Sequence, residues 1–431
     1  MMQNSIHLLR SRRFLPLFAT QFLGAFNDSL YKQAVVLFVT YQLYSDAARE
    51  AQFSAIAQAL FILPFFILSA ISGQLADITD KARVIRWVKT AEIGIMAVGA
   101  AGLMLQNVTL MLAAVLGMGV HSTFFGPIKY ALLPQHLQPD EVLGGTGLVE
   151  AGTYLAILGG TVVAGFISGD PRAVGVAVLA LATLGWFSGR QVPPAPPASE
   201  SREKLDWHLL RASARLVRAT MHVRRLFLAI LSISFFWTIG AVIIIVFPPL
   251  VKNVLGANEA VASMFIAIFS IGIAVGSVAI NRLLKSQVSA RFAPASVLAM
   301  AVFVLLLRYV ALSWDKHGVT ELTTLGGFLH HPLAALMILA LLGVAIAGGM
   351  FVVPLYAFLT TTVEKTETAR VVAANNIVNS GAMVIGAVLA YALTALGIAA
   401  TGQLVLIAAM CVVSAGLAWK LHRACDQDRK P

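Results

Sequence analysis

The sequence predicts an all-α membrane protein, with twelve transmembrane helices in two six-helix halves and both termini in the cytoplasm. Three observations lead there. Hydrophobic residues make up 58% of the 431-residue chain and charged residues only 12%, where a soluble domain carries about 25% charge. Apolar runs of the roughly 20 residues needed to cross a ~30 Å hydrocarbon core recur along the chain. One long polar break near the middle leaves six runs on either side. With a mean hydropathy of +0.83 the chain takes lipid as its solvent. That excludes a soluble enzyme, a nucleic-acid module and a disulfide scaffold. The two cysteines, Cys411 and Cys425, lie in the last apolar run and the tail and imply no extracellular disulfide.

The predicted spans are 14–41, 53–75, 84–105, 107–134, 144–168, 171–189, 225–250, 259–281, 292–313, 332–358, 370–396 and 401–422. They are too long for barrel strands and lack the two-residue alternation of strands. The first is not read as a cleaved signal, because it holds Gln21, Asn27, Asp28 and Lys32. About three-quarters of the 31 lysines and arginines fall in segments that an inward N-terminus places in the cytoplasm. That asymmetry sets the orientation. The net charge of +11 then serves topology and an anionic inner leaflet, not nucleic acid.

The chain divides into a first bundle, 1–189, a cytoplasmic linker, 190–224, and a second bundle with a short basic tail, 225–431. The linker opens with Pro193-Pro194-Ala195-Pro196-Pro197, a stiff extended spacer. Beyond it Leu205, Leu209, Ala212 and Leu216 share one helical face, and Arg211, Arg215 and Arg218 another. This is either a helix lying at the membrane interface or a solvated linker helix. The halves show a weak repeat: Tyr130 and Glu150 in the first are spaced as Tyr356 and Asn376 in the second. Repeats about an axis along the membrane normal typify six-plus-six transporters. Gly117, Gly119, Gly159, Gly160, Gly272, Gly276, Gly348 and Gly349 mark close helix contacts.

Ionisable groups inside spans cost at least about 2.5–3.5 kcal/mol each and need a partner, an aqueous cavity or an interface. Asp28 and Lys32 share a face of the first span, with Asn27 beside them. They form either a self-neutralised pair or a site for a charged or zwitterionic substrate. Lys89 and Glu92 in span 3 read as a structural pair, with Lys89 reaching back to the cytoplasmic interface. Lys129 follows Pro127 in span 4, and Tyr130 and Glu150 lie close in sequence. Lys129 either snorkels or meets a substrate phosphate, and Glu150 pairs with Lys129 or with a cation. His121 reads as a packed histidine or a proton relay, and Arg308 as a snorkelling residue or a phosphate contact. At the comparable positions the second half has the milder Asn375, Asn376 and Asn379 in span 11 and no charge within span 7. The grouping of Asp28, Lys32, Lys129 and Glu150 in the first half suits a lipid-like substrate, with one headgroup site beside an apolar wall. Among enzyme signatures, no P-loop, zinc-type cluster or Gly-x-Ser-x-Gly elbow occurs. No enzyme, cofactor or metal is expected.

The stretch Gly73-Gln74-Leu75-Ala76-Asp77-Ile78-Thr79-Asp80-Lys81-Ala82-Arg83 resembles the major facilitator signature Gly-x-Leu-Ala-Asp-Arg-x-Gly-Arg-Lys. Ile78 replaces its arginine and Asp80 its glycine. The resemblance implies a conformational latch made by Gly73, Asp77, Lys81 and Arg83. Three further stretches are similar to the bacterial lysophospholipid transporter family of that superfamily: Gln21-Phe22-Leu23-Gly24-Ala25-Phe26-Asn27-Asp28, Phe125-Gly126-Pro127-Ile128-Lys129-Tyr130-Ala131-Leu132-Leu133-Pro134-Gln135, and Gly147-Leu148-Val149-Glu150-Ala151-Gly152-Thr153. They also resemble the transporter half of fusions with an acyltransferase, a domain not expected in this chain.

That resemblance implies movement of lysophosphatidylethanolamine and lysophosphatidylglycerol from the outer to the inner leaflet of a bacterial inner membrane, where a separate acyltransferase restores the second chain. The arginine that some members carry on span 7 is absent from Ala241-Val242-Ile243-Ile244-Ile245. The expected path takes a lipid in sideways, by alternating access in a monomer. Its headgroup meets Asn27, Asp28 and Lys32 first, then Lys129, Tyr130 and Glu150. The competing reading is a proton-coupled exporter of amphipathic drugs, with Asp28 or Glu150 titrating.

Overall fold

A computed structural model describes residues 6–138, 141–196, 208–284, 289–314, 322–361 and 368–427. The long helices are α1 (Leu15–Phe38), α2 (Ala47–Ile78), α3 (Lys81–Met104), α4 (Val108–His136), α5 (Val142–Ile167) and α6 (Pro171–Arg190), then α8 (Arg224–Pro249), α9 (Glu259–Leu283), α10 (Ala293–Leu312), α12 (Ala334–Thr361), α13 (Thr368–Ala395) and α14 (Ala400–Gln427). Between them lie α7 (Leu209–Met221) and the short α11 (Leu325–His330). Ten helices among the described residues are long and apolar enough to cross a membrane. The helix α1, interrupted by Gln21, Asn27, Asp28 and Lys32, is not among them, and the described part of α5 contributes a shorter apolar stretch, Leu155–Ile167.

Polar side chains set where these helices start. The Asp80 carboxylate accepts from the Arg83 amide at 3.0 Å, and Asn107 Oδ1 accepts from the Leu110 amide at 3.1 Å. Asp170 accepts from the Arg172 and Ala173 amides at 2.9 and 3.3 Å, with Pro171 in the first turn. Each cap satisfies amides that the first helical turn leaves without a partner. Asp80, which breaks the signature in the loop, therefore starts α3.

The chain separates into two compact units, Met1–Leu43 with Leu63–Ala212, and Tyr44–Ile62 with Ser213–Pro431. Their boundary runs inside α2 and inside α7. In the first unit α1 packs on α5 and α6, and α3 on α6 and α4. In the second, α8 packs on α13 and α14, and α10 on α14 and α12. These four pairings correspond helix for helix, and the second unit adds a contact of α9 with α12. The first helix of each set also ends alike: α1 and α8 both run on into a wider i→i+5 turn, at Val39–Leu43 and Leu250–Val254. The weak sequence repeat thus has a structural counterpart in each unit.

Glycine sets the crossing of α9 and α12 in the second unit. A Cβ on Gly276 would stand 2.8 Å from the Ile346 carbonyl carbon, and one on Gly349 3.1 Å from the Ser277 amide nitrogen. Only a bare backbone lets α9 and α12 approach so closely, and in lipid such contact replaces the hydrophobic drive as the reason to associate. The same unit buries Glu50 completely. Lys252 Nζ lies 2.6 Å from its Oε1 and also donates to the Tyr44 carbonyl at 2.9 Å, while Asn253 Nδ2 donates to Oε2 at 2.6 Å. The opening of α2 is thereby tied to the wide turn after α8.

The linker's first stretch is not free of the first unit. Val192 and Ala195 are buried in a core with Leu8, Phe14, Leu17, Ile85 and Leu132. The Ala195 carbonyl accepts from the Lys81 amide at 3.0 Å, and Gln135 Nε2 donates to the Pro196 carbonyl at 3.3 Å. The extended proline run is thus strapped across the ends of α3 and α4. Pro197 and Leu205 lie outside the described residues. Beyond them α7 forms as its pattern predicts, with Arg211, Arg215 and Arg218 exposed and Leu216 half-buried.

At the start of α5, Glu141 gathers the chain's first residues. Arg13 donates to it at 2.7 Å, His7 lies 3.4 Å away, and the Gln138 amide donates at 2.9 Å. The Gln138 amide, then His7 and Arg13, hold this carboxyl below its ordinary value. The Glu141 contribution is therefore complete above about pH 4.5 and is lost as pH falls through the depressed value. Hydrogen exchange of residues 6–14 should accelerate below that range, and Glu141→Gln should show the faster exchange already at pH 7. Glu50→Ala should strand the Lys252 ammonium and lower stability in detergent by about 3–5 kcal/mol, read as a fall in thermal midpoint.

Candidate functional site

The polar residues of the first unit fall into two groups, both built on α1. The larger joins the middles of α1, α3 and α4. Glu92 is its centre. Lys89 Nζ lies 2.6 Å from Glu92 Oε2, Asn27 Nδ2 donates to Glu92 Oε1 at 2.9 Å, and His121 Nε2 stands 3.2 Å from Oε2. All four residues are buried. Ser122 donates to Asp28 Oδ2, and its Oγ lies 3.5 Å from His121 Nδ1. The His121 ring stacks against Phe125, and the Lys89 ammonium lies 5.3 Å from the centre of the same ring.

Lys89 does not reach the interface. It stands about 12 Å along α3 from the helix start at Lys81, and its side chain is fully buried. The expected snorkelling is thus overturned, while the expected pair with Glu92 is present. Room for the ammonium comes from glycine: a Cβ on Gly24 would lie 2.6 Å from Lys89 Nζ, and one on Gly189 3.3 Å from Lys89 Cγ. The glycine of the Gly24-Ala25-Phe26-Asn27-Asp28 stretch therefore has a packing duty toward α3.

Asp28 and Asn27 keep acceptors in reserve. Asp28 Oδ1 and Asn27 Oδ1 are buried without a hydrogen-bond partner among the described residues. Lys32 lies one turn along α1, within electrostatic reach of the Asp28 carboxylate. Two unused oxygens beside an ammonium make a place that can take both a cationic donor and an anionic acceptor.

The smaller group lies toward the start of α1. Thr153 Oγ1 donates to Gln21 Oε1 at 2.8 Å, Gln21 Nε2 donates to the Val149 carbonyl at 3.3 Å, and Lys129 Nζ donates to Thr153 Oγ1 at 3.5 Å. Lys129 is half-buried and Gln21 buried. The side chains of Tyr130 and Glu150, and the surroundings of Gly73 and Asp77, lie outside the described residues. Of the other two latch residues, Lys81 is buried and Arg83 exposed. Arg308 donates from Nε to the Thr401 carbonyl at 3.2 Å, which ties α10 to α14.

An aromatic stripe accompanies these groups. Phe14, Phe18, Phe22 and Phe26 follow one another along α1, with ring centres 6.0, 6.2 and 6.4 Å apart. A Cβ on Gly152 would stand 2.7 Å from Phe18 and one on Gly159 2.8 Å from Phe26. The second unit's polar cluster is neutral: Ser234 Oγ donates to Asn379 Oδ1 at 2.7 Å, and Trp237 Nε1 donates to the Tyr356 hydroxyl at 2.8 Å.

Ser122 and Trp237 are members that sequence reasoning did not single out, Gln21 and Thr153 entered it without a site role, and Glu92 entered it only as the structural partner of Lys89. Glu92 alone carried a usable signal. A lysine–glutamate pair at mid-helix cannot snorkel, so its carboxylate is open to further partners. Serine, threonine and glutamine in an apolar helix are too common to be selected by type.

Two helical units with matching pairings, polar at mid-span in one and neutral in the other, define a multi-pass membrane protein built on an internal repeat. The chain belongs to the Major Facilitator Superfamily, whose family model matches residues 17–321. It is 26% identical to the lysophospholipid transporter LplT of Escherichia coli O157:H7, over 89% of this chain and 90% of that protein. It is 27% identical to the lysophospholipid transporter LplT of Photorhabdus laumondii, over 81% of this chain and 80% of that protein. Among solved structures it is similar to the nucleoside transporter NupG, with a TM-score of 0.70 and 14% identity over 95% of this chain and 100% of that one. A bacterial homolog of the human lysosomal transporter Spinster gives 0.67 and 14% over 98% and 99%. These structures share the fold.

Lys89→Met should leave Glu92 buried without its cation, at about 3–5 kcal/mol. The Lys89→Met/Glu92→Gln double variant should recover part of that loss. Thermal unfolding of the detergent-purified variants measures both.

Proposed function

We propose that this protein is a lysophospholipid transporter and not an enzyme. It moves lysophosphatidylethanolamine and lysophosphatidylglycerol from the outer to the inner leaflet of a bacterial inner membrane, for reacylation by a separate acyltransferase. In this reading twelve spans, with both termini in the cytoplasm, work as a monomer without a cofactor, by alternating access with lateral lipid entry.

The observation that carries the reading is the pair of buried, unused acceptors on Asn27 and Asp28 with Lys32 a turn away. An ethanolamine ammonium satisfies the two oxygens, and the neighbouring phosphate meets the Lys32 ammonium. The phenylalanine stripe on α1 supplies apolar surface for the single acyl chain. Lys129, held by Thr153, is the second phosphate contact, with Tyr130 and Glu150 completing that station. Gly73, Asp77, Lys81 and Arg83 act as the conformational latch. The names of the curated relatives support the substrate class.

The test is reconstitution into liposomes with labelled lysophosphatidylethanolamine on the outer face. Asp28→Asn, expressed and folded as the parent chain, should lose most of the inward movement. Parental rates in that variant would remove Asp28 from the site. Parental protein that moves no lysolipid would overturn the substrate, and amphipathic drug efflux in its place would establish an exporter.

A further inference from the structure

Two asparagines one turn apart on α13 differ in how they are paired. Asn379 is used at both ends. Its Oδ1 accepts from Ser234 Oγ at 2.7 Å, and its Nδ2 donates to the Tyr356 hydroxyl at 3.4 Å. Asn375 is completely buried, and neither its Oδ1 nor its Nδ2 has a hydrogen-bond partner among the described residues. No other carboxamide there has both ends buried and unpaired. A hydroxyl in a helix can turn its proton to the carbonyl a turn before, as Ser232 and Thr238 do on α8. The Asn375 carboxamide makes no such bond and forfeits hydration at two atoms. It is suited to a partner that brings one donor and one acceptor.

We propose that Asn375 reads the free glycerol hydroxyl by which a single-chain phospholipid differs from a two-chain one. The inference rests on the lysophospholipid reading and deepens it, adding a hydroxyl contact in the second unit to the headgroup contacts in the first. In such a lipid the central glycerol carbon carries a hydroxyl in place of an ester. That hydroxyl is the one donor of the glycerol region, where the remaining ester and the phosphate only accept. It donates to Asn375 Oδ1, and the ester carbonyl accepts from Nδ2. A two-chain lipid sets an ester oxygen against Oδ1, so acceptor meets acceptor in a place closed to water. A site built to pair a substrate hydroxyl rejects the analogue without it far more strongly than an apolar pocket rejects an extra methylene.

The surrounding structure suits a neutral partner of this kind. The polar cluster one turn along, Ser234, Asn379, Tyr356 and Trp237, is uncharged. It offers no counter-ion to an ammonium or a phosphate, and a hydroxyl needs none. The Ser234–Asn379 bond also pins the rotation of α13 against α8, and so fixes which way the preceding turn presents Asn375. Trp237 and Tyr356 are half-buried, and Asn376, next along the helix, is exposed. Polar surface therefore continues from the buried carboxamide toward the outside of the unit.

The experiment compares two labelled lipids in proteoliposomes, at concentrations well below saturation. One is lysophosphatidylethanolamine, and the other is its 2-deoxy analogue, with hydrogen in place of the hydroxyl. The analogue is the smaller, so a filter that works by size alone admits it equally. The parental protein should move it slower by about tenfold or more. Asn375→Leu, which keeps the bulk and removes both polar ends, should slow lysophosphatidylethanolamine to the rate of the analogue and leave the analogue's rate unchanged. Asn375→Ser, which keeps a donor and an acceptor, should retain part of the preference. Equal rates for the two lipids in the parental protein, or equal slowing of both in Asn375→Leu, overturn the hydroxyl contact and leave the transport reading standing. The parental comparison needs no variant, so it holds even where a substituted chain fails to fold. No movement of lysophosphatidylethanolamine by the parental protein overturns both.

Discussion

The first unit is organised by one buried ion pair. Lys89 and Glu92 sit at mid-span with no water to solvate them, so each must be satisfied by protein. Their contacts fix the register of three helices at once. Asn27 of α1 and His121 of α4 both converge on the Glu92 carboxylate. Gly24 and Gly189 must stay small for the lysine stem to pass. A helix that slid by one turn would unpair a charge in a low-dielectric interior, at a cost far above that of a misplaced apolar contact. A polar centre thus gives α1, α3 and α4 the unique alignment that apolar packing in lipid does not enforce.

From that fixed frame Asp28 acquires its character. Its neighbour Asn27 is held by Glu92, and one of its own oxygens is held by Ser122. The other oxygen is left over. A carboxylate oxygen kept in place yet unused is suited to a group that comes and goes. In the second unit the buried oxygen without a partner on α13 belongs to a neutral residue, Asn375. The Ser234–Asn379 hydrogen bond there joins neutral partners, which hold helices without demanding a counter-charge. The two units repeat one scaffold and differ in electrostatics, which is how a repeat fold can place recognition of charge in one half.

Much of this was legible in the sequence. Apolar runs of membrane length marked the long helices because lipid penalises every alternative. Their ends were harder: α2 begins at Ala47 and not near 53, since a charged first turn can still be helical when Lys252 and Asn253 satisfy Glu50. Asn27, Asp28 and Lys129 stood out because an apolar run tolerates few polar residues. The partnerships could not be read, because which residue of α3 or α4 faces Asp28 depends on helix rotation and crossing. Lys89 was misjudged for a related reason. Its depth is set by where α3 starts, and the Asp80 cap places that start well before it. The proline run read as a stiff extended spacer, and what the sequence did not show is that Ala195 within it and Val192 before it lie in the core of the first unit.

The spacing of the charges also bears on how such a chain enters the bilayer. Asp28 and Lys32 lie on one helix, four residues apart, and Lys89 and Glu92 on another, three apart. Each helix therefore carries its own counter-ion. During biosynthesis α1 is made before α3, and α3 before α4. A lone carboxylate or ammonium at mid-helix would oppose partitioning at that moment. A neutral pair within the same helix lowers that barrier before any tertiary partner is available. The assembled unit then adds Asn27, His121 and Ser122 to pairs that were tolerable from the start, so charges needed in the mature protein do not obstruct its insertion.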